Sequence, residues 1–256
     1  MTEPQQPLAI LLCARLQSLA GRLMDAQSRL PDDPESLHDL RVALRELSSL
    51  VAPLSGHLYG ADELHRLARE CARPTNRLRD QEVLAEELQC KGGSEYLPVL
   101  QAQLLAGKSA LARQLPAEAL IQRLLSLTIY WEKYLKGADW KKLARRLRRS
   151  RTPLRSKLAK GLENRNTDLH RLRIRIKRYR YFLEAYRSLM DDLAPALPKA
   201  LKEAQELTGN WHDRQTWIGM ASRHPQLQPL VAAWLEESLS ISFKINVSRK
   251  QLKVIL

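Results

Sequence analysis

Two histidines each head a row of cations at helical spacing. His38, Arg41 and Arg45 form one row, and His170, Arg173, Lys177 and Arg180 the other. Steps of three and four residues keep each row within an arc of roughly 80° on a helix. A guanidinium offers forked donors at permanent charge, and an imidazole adds a further donor, so such a row suits phosphate oxygens. A metal site would want carboxylates or cysteines clustered with the histidines. Here an arginine stands three residues after each histidine and disfavours a bound cation. A phosphorelay needs an exposed imidazole and a donor, and the sequence identifies neither. A histidine bonded within a helical bundle is the plain alternative. Imidazole ordinarily titrates near pH ~6.5, so anion binding is expected to strengthen on acidification.

The second row lies in the most informative stretch, Leu169–Tyr186. Leu169, Leu172, Ile176, Tyr179 and Leu183 make its apolar face. The basic strip is flush against that face, whereas a solvated charge strip ordinarily lies opposite it. The cations are therefore expected at the edge of a packed interior, partly shielded. The bland reading is an amphipathic helix with snorkelling arginines.

The whole chain has 256 residues and a net charge of +14. That balance implies an anionic partner: nucleic acid, a phosphate polymer or an acidic surface. Abundant Leu, Ala, Arg, Gln and Glu, with few Phe, Gly and β-branched residues, favours an all-α fold. Cys13, Cys71 and Cys90 contain no C-x-x-C pair, which fits a reduced cytoplasmic chain with each thiol acting as a small apolar residue. The apolar run Leu8–Ala14 is not expected to be a signal peptide. Thr2–Pro7 carry an acid and no base, and the run continues into Arg15 at helical spacing. No apolar segment approaches the ~20 residues that span a bilayer, so no membrane partner is expected.

Periodicity predicts helices over about 7–30, 34–52, from Asp62 onward, 95–114, 117–136, 195–220 and 225–239. The first should bury Leu8, Leu11, Leu12, Leu16, Leu19 and Leu23. Residues 31–36 read as a turn, and Pro74 should kink or break the third helix. Tyr130, Trp131 and Tyr134 read as core and inter-helix packing. Residues 141–160 hold ten Lys or Arg and no acid, yet keep leucines at helical spacing. Two short helices joined at Ser150–Pro153 are expected there. The β-branched tail 241–256 is ambiguous between helix and extended chain.

An internal repeat joins these features. Leu37-His38-x-Leu40-Arg41-Val42-x-x-Arg45 matches Leu169-His170-x-Leu172-Arg173-Ile174-x-x-Lys177 at an offset of 132, and Arg66, Arg69 and Asp80 match Lys199, Lys202 and Asp213 at 133. Two pseudo-symmetric helical bundles of four to five helices each are the expected outcome: a first half at about 5–137, basic connecting helices at 138–163 and a second half at 164–240. Arg66, Arg69, Arg73 and Arg77 form a further basic row.

These residues resemble the CHAD domain, the conserved histidine α-helical domain. His38-x-x-Arg41-Val42-x-x-Arg45 and His170-x-x-Arg173-Ile174-x-x-Lys177-Arg178-x-Arg180-Tyr181 resemble its two signature helices, and Arg79-Asp80-x-x-Val83 and Gly209-x-x-His212-Asp213 the segments after them. The resemblance spans roughly residues 5–240. The first copy departs from the pattern at Glu46 and Ser48, where basic residues are usual.

The resemblance implies paired bundles around a central basic cavity that binds inorganic polyphosphate; no cofactor is expected, and no positioned base and nucleophile can be read from the sequence to support catalysis. It also implies a cytoplasmic protein associated with polyphosphate granules. Neither a nucleophile elbow, a P-loop, H-E-x-x-H nor the E-x-E-x-K signature of triphosphate-tunnel enzymes is found, so the expectation is a binding module alone. The expected ligand set is His38, Arg41, Arg45, Arg66, Arg69, Arg73, Arg145, Arg148, Arg149, Arg155, His170, Arg173, Lys177, Arg180, Lys199 and Lys202. Asp80, Asp213 and Tyr181 are expected to orient or cap. Enzymes of polyphosphate metabolism are candidate partners, as is an acidic protein docked on the basic face. The main alternative is an RNA- or DNA-binding protein using the same surface. Few aromatics interleave with the basic rows, and that weighs against single-strand stacking.

Overall fold

A computed structural model of the chain describes residues 6–256 apart from 31, 92–94, 136, 165–167 and 191. The described residues form helices α1 (Gln6–Arg29), α2 (Ser36–Val51), α3 (Ala61–Cys90), α4 (Leu97–Gln114), α5 (Ala117–Tyr134), α6 (Gly137–Glu163), α7 (Leu169–Ala185), α8 (Leu197–Ala221) and α9 (Val231–Ile255). Short 3-10 turns cover Ala52–Leu54, Arg187–Leu189 and Pro225–Leu230. No strand occurs among the described residues, as the composition predicts. Most of the Thr2–Pro7 segment, Pro31 of the predicted turn and Lys136 lie outside the described residues.

The chain forms two compact units. One holds the chain up to Arg79 together with Ala102–Arg149, and the other holds Asp80–Gln101 and Ser150–Leu256. They are not contiguous halves of the sequence, because α3, α4 and α6 each contribute to both.

In the first unit α1 packs on α2 and α5. Leu12, Cys13, Leu16, Leu19, Leu23 and Ala26 of α1 are buried, but Leu11 is half exposed. Cys13 takes the inward position instead, since i, i+3, i+7 from Cys13 continues the buried stripe and Leu11 falls outside it. Glu46, one of the departures noted above, bridges Arg15 (2.9 Å) and Arg22 (2.7 Å) of α1. Burial opposes its ionisation, yet the bonds from Arg22 and Arg15 hold it below the ordinary carboxylate range. Its negative charge thus serves the α1–α2 seam. Gly60 adopts φ 76°, and an added Cβ would strike the Leu127 side chain, so this turn requires glycine twice over.

The second unit stacks α7 on α8 and α8 on α9. Asp168 caps α7 by accepting the His170 amide at 3.0 Å. Leu172, Ile176, Tyr179, Phe182 and Leu183 are buried, as the apolar face of α7 predicts. The two signature helices bury matching positions: Leu40, Leu44, Leu47 and Leu50 in α2 correspond in register to Leu172, Ile176, Tyr179 and Phe182 in α7. Thr75 and Thr208, 133 residues apart, are both fully buried, and each hydroxyl donates to a carbonyl in the preceding turn of its own helix.

Several expectations are corrected. Neither Pro74 nor Pro153 breaks its helix: α3 and α6 run through them. Both prolines lie on the solvent face, and so do Glu70 and Arg149 four residues earlier. Water can therefore satisfy the carbonyls that lose an amide partner. The basic run 141–160 is accordingly one helix, not two. The β-branched tail is helical to Ile255. Burial of Trp234, Ile245 and Leu252 outweighs its weak helix propensity. Trp131 is fully buried and donates to the Tyr59 carbonyl at 3.0 Å, but Tyr130 and Tyr134 are exposed and pack on one another and on Tyr59 instead. Cys13 and Cys71 are buried, and burial lifts both thiols to about 11, whereas Cys90 is exposed. No helix among the described residues is long and apolar enough to cross a membrane.

Candidate functional site

The candidate ligand residues divide between the units. His38 stands exposed in the first turn of α2, whose axis places Arg41 and Arg45 half-buried behind it. Arg41 donates to Thr75 Oγ1 at 2.6 Å and Asn76 Oδ1 at 3.0 Å. These bonds fix one edge of its guanidinium and tie the α2 strip to the stretch of α3 that carries exposed Arg73 and Arg77. Arg66 and Arg69 are also exposed. Arg66 pairs with Glu70 at 2.8 Å, a surface i,i+4 contact of small energetic weight. On α6, Arg145, Arg148 and Arg149 are exposed. Neighbouring cations in the same run are already engaged: Arg146 meets His57 in the first unit, while Arg151 contacts the Tyr179 hydroxyl and Asp192 in the second.

The second unit gathers its basic groups more tightly. Arg173, Lys177 and Arg180 are half-buried at the edge of the α7 core face, as their spacing predicts, and His170 is exposed. The α7–α8 packing brings His212 against this strip, its ring centroid 5.4 Å from that of His170. Burial, and then the positive charge of Arg173, His170 and Lys177, pushes His212 down to about 4. It is therefore a neutral imidazole held in a positive field at neutral pH. Arg173 Nε is buried with no hydrogen-bond partner among the described residues. Buried polar groups are normally satisfied by protein or water, and Arg41 Nε in α2 is open in the same way.

The remaining residues are more committed. Arg180 bonds Glu184 at 2.8 Å and lies 5.3 Å over the Tyr181 ring, while the Tyr181 hydroxyl accepts from Gln205 at 3.3 Å. Tyr181 thus positions Arg180 and has one ring face covered. Lys199 and Lys202 are exposed and lie 3.9 and 3.8 Å from Glu203 and Glu206. Arg155 donates to the Leu256 carbonyl at the end of α9. Asp80 is exposed and Asp213 half-buried.

His212 is the residue that sequence reasoning passed over. It was visible only as part of a motif resemblance, but the repeat carried a sharper signal: at the offset of 133, His212 corresponds to Arg79. Among the described residues no group of His, Cys, Asp and Glu is arranged to hold a metal ion.

The chain is thus an all-α protein whose helices carry rows of Lys, Arg and His along the edges of their buried faces. The CHAD domain model matches residues 12–222, so the chain belongs to the CHAD domain family. The fold is shared with the crystal structure of the CHAD domain from the plant Ricinus communis: the TM-score is 0.72 at 22% identity, over 96% of this chain and 90% of that one. No curated protein matches the sequence.

Proposed function

We propose that this chain is a non-catalytic module that binds inorganic polyphosphate through its half-buried cations, above all the His170–Arg173–Lys177–His212 cluster. The family is one linked to polyphosphate binding in general. The observation that carries the reading for this chain is the geometry of that cluster: His212 packs against His170 at a ring distance of 5.4 Å, burial and then three basic groups depress it, and a buried Arg173 donor has no partner among the described residues. A phosphate chain supplies what is missing there, closely spaced anionic oxygens that need no base-reading groups. The guanidinium and ammonium groups hold it by charge-assisted hydrogen bonds. In the first unit His38, Arg41 and Arg45 play the corresponding part, with Arg66, Arg69, Arg73, Arg145, Arg148 and Arg149 adding long-range attraction. No pair of side chains acts as base and nucleophile in this scheme; the ligand is held, not cleaved. A cytoplasmic role beside polyphosphate granules and their enzymes follows from the same reading. Nucleic acid is the weaker ligand because Tyr181, which follows Arg180 in the α7 strip, is already covered on one face by Arg180.

The pH dependence tests this directly. A bound anion next to His212 offsets the field of Arg173 and Lys177 and raises the imidazole toward its ordinary value. Binding then takes up a proton between about pH 6.5 and about 4, and affinity for long-chain polyphosphate rises as pH falls through that window. The free protein behaves oppositely. Its folded state binds this proton less readily than the unfolded chain, so stability is fully present above pH 6.5 and falls as the pH drops toward 4. Titrations and thermal melts across this range, with H212Q as the reference, should show both trends in the wild type and flatter profiles in the variant. Affinity independent of pH in both proteins would remove His212 from the site.

A further inference from the structure

Helix α9 is apolar on two faces. Trp234, Ile245 and Leu252 are buried inward, but Leu235, Leu239, Phe243, Val247 and Val254 form an outward ridge. Leu239 is 75% exposed, Phe243 72% and Val254 88%. Four of the five recur every fourth residue and so make one continuous ridge rather than scattered apolar residues. Soluble proteins seldom leave such a ridge uncovered.

The order of residues along the ridge says what covers it. An interface between two identical copies related by a twofold must be self-complementary, each residue meeting its counterpart across the axis. With the axis at Phe243, three pairs of exposed α9 residues match, while Leu235 falls opposite Gln251 at the edge of the ridge. Leu239 and Val247 lie four residues to either side, Glu236 and Lys250 seven, and Ala232 and Val254 eleven. All six are exposed. Glu236 and Lys250 have no ion-pair partner among the described residues, whereas the adjacent Glu237 is engaged by Lys91 and Arg214. We propose that α9 is the contact face of a homodimer in which two copies lie antiparallel, crossing at Phe243, with Glu236 of each copy meeting Lys250 of the other. One helix face lies at the small end of specific interfaces, so the dimer is a reversible one in the micromolar range. It leaves α7 and the α7–α8 cluster of each copy free and makes the module bivalent toward a long polyanion.

Sedimentation equilibrium of the full chain, from micromolar to several hundred micromolar, tests the proposal. The expected result is a monomer–dimer equilibrium. F243E places two like charges on the twofold and should weaken the dimer at least ~100-fold. E236K replaces two attractive pairs by repulsive ones and should weaken it about 10-fold, while E236K/K250E should return it to within about threefold of the wild type. Because these residues are solvent-exposed, helicity and melting temperature should be unchanged; if F243E folds poorly, the charge-swap set decides alone. A monomer at every concentration, a dimer indifferent to F243E, or a charge swap that fails to restore association would each overturn the proposal. Flotation with anionic vesicles separates the other occupant. Vesicle binding by a monomeric chain, strengthened by E236K, would mean that the ridge faces lipid and not a second copy.

Discussion

Replacing Arg173 and Lys177 together by glutamine should weaken polyphosphate binding at least ~100-fold while leaving the helices intact. Hydrogen bonds to charged groups contribute about 1.5–3 kcal/mol each, so losing two removes about 3 kcal/mol or more, and each 1.4 kcal/mol is about tenfold. The slope of log affinity against log salt should also become shallower by about 1.4–1.8, taking about 0.7–0.9 per phosphate contact by analogy with nucleic acids. The fold tolerates the change because both side chains sit beside the apolar face of α7 and not on it. Arg180 is a weaker target than its place in the row suggests, since Glu184 and the Tyr181 ring already hold it. R180Q is therefore expected to cost less than either partner substitution. Unchanged affinity and salt slope in R173Q/K177Q, with wild-type circular dichroism, would displace the site from α7.

R249M should be the most destabilising single substitution at a polar position. Arg249 is buried and donates to main-chain carbonyls. Its Nε donates to the Leu162 carbonyl at 2.8 Å and its Nη2 to the Gly161 carbonyl at 2.9 Å and to the carbonyl of Asn164. These are carbonyls at the C-terminal end of α6, which have no amide partners within the helix. A cation there also meets the negative end of the helix dipole. Exchanging a buried ion pair for apolar residues is often neutral because both partners leave together. Here the carbonyls cannot leave. Each unsatisfied carbonyl costs about 1–3 kcal/mol, so a total of about 3–5 kcal/mol is expected, or a fall in Tm of about 10 °C for a chain of this size. Thermal or urea unfolding measures it, and a loss below about 1 kcal/mol would show that Arg249 does not cap α6.

Arg249 also shows where sequence reasoning stops. The tail was ambiguous because Ile, Val and Ser lower helix propensity, and what overrides propensity is the surface of α8 and the end of α6, neither visible locally. Pro153 is misleading for a related reason, since α6 runs through it as one helix. A proline inside a helix costs least where the freed carbonyl can reach water, and Pro74 and Pro153 both face solvent. By contrast α7 was legible in detail. Its apolar positions and its half-buried cations follow from spacing alone, because an amphipathic helix carries its own address for the core. His212 lies between these cases: its motif was visible, but its electrostatic state arises from α7 packing on α8. The roles of Tyr130 and Tyr134 were misjudged because aromatics in an apolar helix are usually buried, and here three tyrosines cover one another at the surface.

The most direct measurement is a competition at fixed near-physiological salt. Labelled long-chain polyphosphate bound to the full chain is challenged with single-stranded RNA and with duplex DNA at matched phosphate concentration. The proposed site responds to closely spaced charge, and the Tyr181 ring beside it is covered on one face by Arg180, so polyphosphate should stay bound through a large excess of either nucleic acid. Equal displacement by RNA or DNA would contradict the account and make the chain a general polyanion binder.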